Sequence, residues 1–397
     1  MNILQICNKS PYPPIEGGPI AMSAIASGLN EAGHSVKILA MNTPKYATPK
    51  ENIPEGYLKT FQFETVFVNT SIQLHKAFLN LFSSKSYIAE RFIATDFEKK
   101  IIQILQSNQY DIIQLESIFV APYIKTIRQF SKAKIVIRAH NIEHYIWERT
   151  AANCSNLLKK WYLLHLAKTL KKFELQVLSQ ADGIAAITPF DANNFKNEGV
   201  LKPILFIPAG ININTIPALK TKRNFPGIFH LGSMDWLPNQ NGIKWFLENI
   251  WKEVVNTFPD MQIEIAGRKM PEWLKNYNDK GVKIIGEVDN AIDFYLSNTI
   301  MIVPLLSGSG MRIKIMEGMA CGNTIISTTI GAEGIHVSPE KNILIADTPL
   351  EFVNQIKKCI ENPEKCNNIG MEAQKFIKEE YNNELIIKKL IDFYKQL

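Results

Sequence analysis

The sequence predicts an α/β fold of two Rossmann-like, doubly wound parallel-sheet domains carried on one chain. Three observations predict it. Strand-length apolar segments alternate with helix-length amphipathic ones throughout, the pattern of parallel sheets with helical crossovers. The periodicity lapses once, at 209–224 ("AGININTIPALKTKRN"), where polar residues accumulate, and a second alternating series follows. At 397 residues the chain exceeds one ordinary core and suffices for two domains of roughly 150–200 residues each. The division is therefore an N-terminal domain over 1–208, a linker over 209–224 and a second domain over 225–382. A last helical stretch, 383–397, could pack back on the first half.

In the first series "NILQIC" (2–7) is a short apolar strand. A helix over 17–34 follows, with small residues on its packing face, and then a strand at 35–41. Further strands are expected at 111–116, 134–140, 183–188 and 204–210, with one long amphipathic helix over 153–181. The second series reads as a strand at 227–232, a helix over 240–257, and strands at 262–267, 282–288 and 299–306. A helix after 310 and strands at 324–328 and 342–346 complete it. Open parallel sheets bind ligands at the carboxyl ends of their strands, so two such domains place the natural site in a cleft where those edges face each other.

Composition narrows the partners. With 46% hydrophobic and 21% charged residues the chain is globular. Its net charge of +6 suits an anionic small molecule or a membrane surface; it is too modest and unclustered for a nucleic-acid binder. "MNILQICNKS" has no basic residues before its apolar run, and the longest apolar run, 299–306, is strand-length. Neither a signal peptide nor a spanning helix is expected, which suits a cytoplasmic protein. Five scattered cysteines (Cys7, Cys154, Cys321, Cys359, Cys366) lack ligand spacing and read as reduced thiols.

The residues after the strands carry the chemistry. "LLSGSGMRIKIMEGMACG" (305–322) turns on Ser309 and Gly310 and becomes a helix bearing Arg312, Lys314 and Glu317. A helix start reached through glycines is an anion site. Two cations there oppose the helix dipole and call for a counter-anion such as phosphate. They lie about 200° apart if both are helical, so they converge only if the helix starts near Ile313. Glu317 shares a face with Lys314; it fits a neutral diol such as ribose, or else an ordinary Lys–Glu pair. Gly232 and Ser233 end the strand at 227–232, and Arg268 follows Gly267 at the same edge. In the first half, Gly17 and Gly18 permit a tight turn into a helix N-terminus, and His140 stands directly after its strand. The segment "HNIEH" (140–144) has two histidines at i and i+4 but not the HExxH order, so zinc is disfavoured and metal none is expected.

In this order and spacing, "PPIEGGP", "HNIEHYIWER", "IPAGIN", "FHLGSMDWLPNQNGIKWF", "IAGRKMPEWL" and "VPLLSGSGMRIKIMEGMACGNTIISTTIGAEGI" resemble family 4 of the retaining glycosyltransferases over nearly the full length. The resemblance implies the GT-B fold, with an acceptor-side first domain and a second domain that binds the nucleotide sugar. It implies that Glu317, the second residue of an E-x7-E motif, holds the ribose. The first falls at Ser309, a departure. The loop after Gly232 also lacks the Arg and Lys usual in the family. A branch with GxGxRxKxxE supplies those cations from Arg312 and Lys314 instead. His140 then matches a position close to the donor sugar, and Gly17–Gly18 the loop beside sugar or acceptor.

The expected function is metal-independent, retaining transfer of a sugar, hexosyltransferase-like, from a nucleotide diphosphate sugar to a glycan or lipid-linked acceptor hydroxyl. The donor is a substrate, and no cofactor is expected. The expected setting is polysaccharide or glycolipid synthesis. Two alternatives stay open: a nucleotide-sugar epimerase of the same fold, and a catalytically degenerate nucleotide- or glycan-binding homologue. Separately, the basic amphipathic stretch 157–178 and the aromatic- and lysine-bearing stretch 73–92 could lie on an anionic bilayer at the inner face of the membrane, or pack on the sheet with a solvated lysine face.

Overall fold

The computed structural model describes residues 1–15, 17–81, 83–217, 223–308 and 310–397, with backbone only at Tyr46, Lys50 and Leu74. The chain forms two units, Met1–Gly210 with Asn383–Leu397, and Ile211–Asn382. Residues 218–222 of the expected linker lie outside the described residues.

Unit 1 is a seven-stranded sheet of β1 (Asn2–Cys7), β2 (Ser35–Asn42), β3 (Glu64–Phe67), β4 (Ile112–Glu116), β5 (Lys134–Ala139), β6 (Gly183–Ala186) and β7 (Ile204–Phe206). Its order is β3-β2-β1-β4-β5-β6-β7, and all pairings are parallel. Both faces are covered, which is why the central strands are mostly apolar, interrupted only by a few buried polar residues. Alternation assigns side chains to the faces. Leu4, Ile6, Ile113, Leu115, Ile135 and Ile137 join one core. Ile3, Cys7, Ile112 and Val136 join the other, beneath the helices Gly17–Glu31 and Asn383–Gln396. The same parity sends Gln5, Gln114, Glu116 and Arg138 to that second face.

The last helix fits there because Gly28 has no side chain: a Cβ at that position would lie 2.4 Å from Ile387. Asn383 Nδ2 donates to the Ala24 carbonyl at 3.1 Å. Ile386, Ile387 and Leu390 are buried, each contributing roughly 1.5–3 kcal/mol of apolar burial.

Unit 2 holds six parallel strands, β8 (Ile228–Leu231), β9 (Ile263–Ala266), β10 (Val282–Gly286), β11 (Ile300–Val303), β12 (Thr324–Ser327) and β13 (Leu344–Ile345), in the order β10-β9-β8-β11-β12-β13.

Several expected elements change. β3 is unanticipated. It is a short edge strand whose Glu64 is engaged by Lys37 at 2.7 Å and by Lys100, so it shows no apolar run. The long helix starts at Leu157, where the Asn156 side chain caps Lys159 N–H, and a separate helix, Glu143–Ala152, precedes it. The helix expected over 240–257 begins earlier, at Leu237 with Pro238 in its first turn, and relaxes into a π-turn at Leu247–Trp251. The helix from 17 stops at Glu31, before Gly33 at φ 83°.

Candidate functional site

In unit 2 the turns that follow three neighbouring strands form one connected cluster. Gly232 N–H donates to the Ala266 carbonyl at 3.1 Å, and Met234 N–H to the Arg268 carbonyl at 3.0 Å. Gly267 stands at φ 153°, and a Cβ on it would lie 1.8 Å from the Gly232 carbonyl oxygen, so two backbones touch where any other residue would clash. Arg268 Nε donates to Ser233 Oγ at 3.0 Å, and that hydroxyl donates to Asp235 at 2.5 Å.

After β11 the chain turns through Gly308 and Gly310, at φ 123° and 82°. The helix then begins at Ile313, with Arg312 as its flanking residue. The expected convergence condition is thus met: Arg312 is outside the helix, free of its 100° step. The Arg312 guanidinium lies 5.4 Å from the Trp236 ring centroid and donates to the Gly310 carbonyl. Lys314 Nζ donates to Asn239 Oδ1 at 2.9 Å, and Asn239 Nδ2 to the Ser233 carbonyl at 2.7 Å. Gly232, Ser233, Arg268, Gly310, Arg312 and Lys314 are thereby brought together. Ser309 lies outside the described residues.

His230, two residues before Gly232, is fully buried. Its Nδ1 donates to the Ile302 carbonyl at 2.9 Å, which leaves the lone pair on Nε2. A Cβ on Gly232 would lie 3.0 Å from Lys314 Nζ and 3.1 Å from His230 Nε2. Burial, then the Lys314 charge, pushes His230 well below its ordinary value. Burial, then Arg312, lowers Lys314 to about 7. A lysine half discharged beside an arginine at a helix start is a site short of negative charge.

Glu317 lies one turn further on and takes a different partner from Lys314. The Tyr295 hydroxyl donates to its Oε2 at 3.3 Å, and burial raises the carboxyl to about 7. The simple Lys314–Glu317 pair entertained from spacing is therefore not what the side chains do.

In unit 1 the helix from Gly17 begins beside Lys9, and a Cβ on Gly18 would lie 2.9 Å from Lys9 Nζ. His140 leaves β5 with its Nε2 2.6 Å from Oε2 of Glu116, the last residue of β4. Glu116 has no exposed surface. It accepts from Gln5 at 2.8 Å and from Gln114, and faces Arg138 at 3.5 Å. Arg138 and His140 outweigh burial, holding the Glu116 carboxyl below the usual range. Burial holds His140 below its ordinary value against the pull of Glu116. The second histidine of "HNIEH" points elsewhere: His144 Nδ1 meets buried Glu174 at 2.5 Å, and Glu174 also accepts from Glu143 N–H at 3.0 Å. It anchors the start of a helix.

Several residues of these clusters were not singled out from the sequence, among them Glu116, Lys9, His230, Asn239 and Tyr295. Glu116 had a readable signal, an acid closing an apolar strand. Lys9, His230, Asn239 and Tyr295 had none, because their meaning lies in partners 9 to 75 positions away.

Comparison with known proteins agrees with this architecture. The model of Glycosyltransferase Family 4 matches residues 16–215, half of the chain, and that of Glycosyl transferases group 1 matches 225–362. An uncharacterized 44.6 kDa protein in the cps region of Klebsiella pneumoniae is 22% identical, covering 98% of both chains. Sucrose-phosphate synthase from Thermosynechococcus elongatus superposes with a TM-score of 0.72 at 15% identity, covering 100% of this chain and 99% of that one. Anabaena HepE in complex with UDP gives 0.67 at 14% identity, covering 100% of each. The two Rossmann-like units are those of the GT-B fold.

Proposed function

This chain belongs to Glycosyltransferase Family 4, and from that premise we propose that it moves a sugar from a nucleotide diphosphate sugar to a hydroxyl of a glycan or lipid-linked acceptor. The reading includes retention at the anomeric carbon, hexosyl transfer and no metal, in polysaccharide or glycolipid synthesis. One observation carries it: Arg268 and Lys314 are joined through Ser233 and Asn239 around the Gly232 backbone, at the carboxyl ends of β8 and β9, with Arg312 over Trp236 at the start of the helix that bears Lys314.

The bond between the anomeric carbon and the diphosphate oxygen breaks with its electron pair on oxygen. The acceptor hydroxyl oxygen bonds to that carbon, and its proton passes to an oxygen of the departing diphosphate. Arg312 and Lys314 stabilise the charge growing on the leaving diphosphate, and the Gly232 turn and the helix start add backbone N–H groups. Lys314, close to half charged near neutrality, becomes fully charged against the anion. Glu317 accepts from the ribose hydroxyls, a role its Tyr295 contact leaves room for, since a carboxylate accepts several hydrogen bonds. His140 accepts from a sugar hydroxyl through Nδ1, with Nε2 held by Glu116. A similar fold that holds UDP makes UDP the first diphosphate to try.

Thermal shift and calorimetry with UDP, GDP and ADP, on the wild type and on Arg312→Ala and Lys314→Ala, test the reading. One diphosphate should stabilise the wild type, and each variant should lose about 10-fold to 100-fold in affinity, as expected for a charged hydrogen bond of about 1.5–3 kcal/mol. No stabilisation by any of them sinks the donor assignment. Binding without transfer to any acceptor favours the degenerate homologue. Interconversion of the bound sugar favours the epimerase.

A further inference from the structure

Unit 1 exposes large apolar side chains in two places that its packing joins. On the helix Leu157–Gln180, Leu157, Leu158 and Trp161 are 81%, 83% and 60% exposed, and Leu164 is exposed too. Positions 157, 161, 164, 168 and 172 form one helical stripe that passes from apolar residues to Lys168 and Lys172, both solvent-facing, with half-buried Lys160 beside it and Lys159 exposed in the same first turn. On the helix Leu74–Asn80, Ala77 and Asn80 are buried while His75, Lys76, Phe78 and Leu79 face solvent, and Ile72 just before it is exposed. Tyr87 links the two segments. Its hydroxyl bonds the backbone N–H and carbonyl of Gln73 at 2.8 and 3.1 Å. The short helix Tyr87–Glu90 packs against both longer ones.

The charge around these side chains is mostly positive, with Lys85 paired to Glu90 at 3.6 Å and Lys171 to Glu198 at 2.7 Å. Residues 65–89 and 150–173 contain no Asp or Glu, and they carry Lys76, Lys85, Lys159, Lys160, Lys168, Lys171 and Lys172. A second copy of the chain docked two-fold on this face would set lysines against lysines. No described helix is long and apolar enough to cross a membrane. Apolar tips within a lysine field match the boundary of an anionic bilayer, where the side chains enter the acyl edge and the ammonium groups meet lipid phosphates and carboxylates.

We propose that unit 1 docks on an anionic lipid surface through Phe78, Leu79, Leu157, Leu158 and Trp161, with Lys76, Lys159, Lys160 and Lys168 around them. The proposal stands apart from the donor assignment, because none of these residues belongs to either strand-end cluster.

Vesicle co-sedimentation of the full chain tests it, with phosphatidylcholine alone and with phosphatidylcholine containing one third phosphatidylserine, at low and high salt. The wild type should pellet with the anionic vesicles at low salt and come off at high salt. Leu158→Ser with Trp161→Ser, both exposed and so compatible with folding, should lower the bound-to-free ratio about tenfold, and Lys159→Glu with Lys160→Glu should do the same. UDP binding by the variants, read in parallel, should stay at the wild-type level, which separates a failed surface from a misfolded chain. Equal pelleting with neutral and anionic vesicles overturns the proposal, as does wild-type binding by the Leu158/Trp161 variant. A wild-type dimer that the Leu158/Trp161 variant converts to monomer also overturns it, assigning the face to a second copy.

Discussion

His140 Nε2 lies 2.6 Å from Oε2 of Glu116, a carboxylate with no exposed surface, two further donors and an ion pair with Arg138. An ionised carboxylate only accepts, so Nε2 carries the ring proton and Nδ1 presents a lone pair. Glu116→Gln should scramble that tautomer, lower kcat/KM about as much as His140→Ala does, and cost roughly 3–5 kcal/mol by leaving Arg138 without its buried anion. Ring ¹⁵N shifts of His140 check the tautomer; a wild-type proton on Nδ1 would falsify the arrangement. Because the folded carboxyl titrates below its usual 4.5, this share of stability is present above that value and is lost as pH falls through the folded one.

Lys314 sets a pH dependence of the same sign in a higher window. Its folded value is about 7 against a usual 10.5, so between those values the unfolded chain binds more protons and stability should rise with pH. A bound diphosphate restores the ammonium. Binding should therefore take up a proton, and affinity should fall as pH climbs through the same window. Calorimetry in two buffers of different ionisation enthalpy measures the uptake, which Lys314→Met should abolish.

Glu317 should prove costly to the unliganded fold. Burial raises it to about 7 from 4.5, so the folded state is fully favoured below 4.5 and loses that advantage as pH rises through about 7. Glu317→Gln should stabilise the unliganded protein by about 1–2 kcal/mol at neutral pH while weakening nucleotide binding, the trade expected where a site holds a strained charge. A variant that is both less stable and fully able to bind would count against the ribose assignment.

Gly267→Ala should disrupt the cluster without touching a charge. The new methyl would meet the Gly232 carbonyl at 1.8 Å on a backbone at φ 153°. Denaturant unfolding should show a loss of about 1–3 kcal/mol, and diphosphate affinity should drop with it. Unchanged affinity would mean that the Gly232 turn does not contribute to the site.

The sequence by itself determined the α/β class, because strands buried on both faces are mostly apolar and their helical crossovers are amphipathic. It also marked the strand-end glycines and the cations Arg268, Arg312 and Lys314, because chemistry delivered at strand ends follows the strand directly. β3 escaped it, since an edge strand built on a charged Glu64 lacks the apolar run that identifies its neighbours. Tertiary structure alone decided which polar groups meet. Register places Glu116 opposite Arg138, with His140 two residues beyond. Helix packing brings Asn239 to Lys314 and Tyr295 to Glu317, and docking of the last helix brings Tyr394 to Gln114. These pairs join residues 22 to 280 positions apart, a separation that no local periodicity encodes.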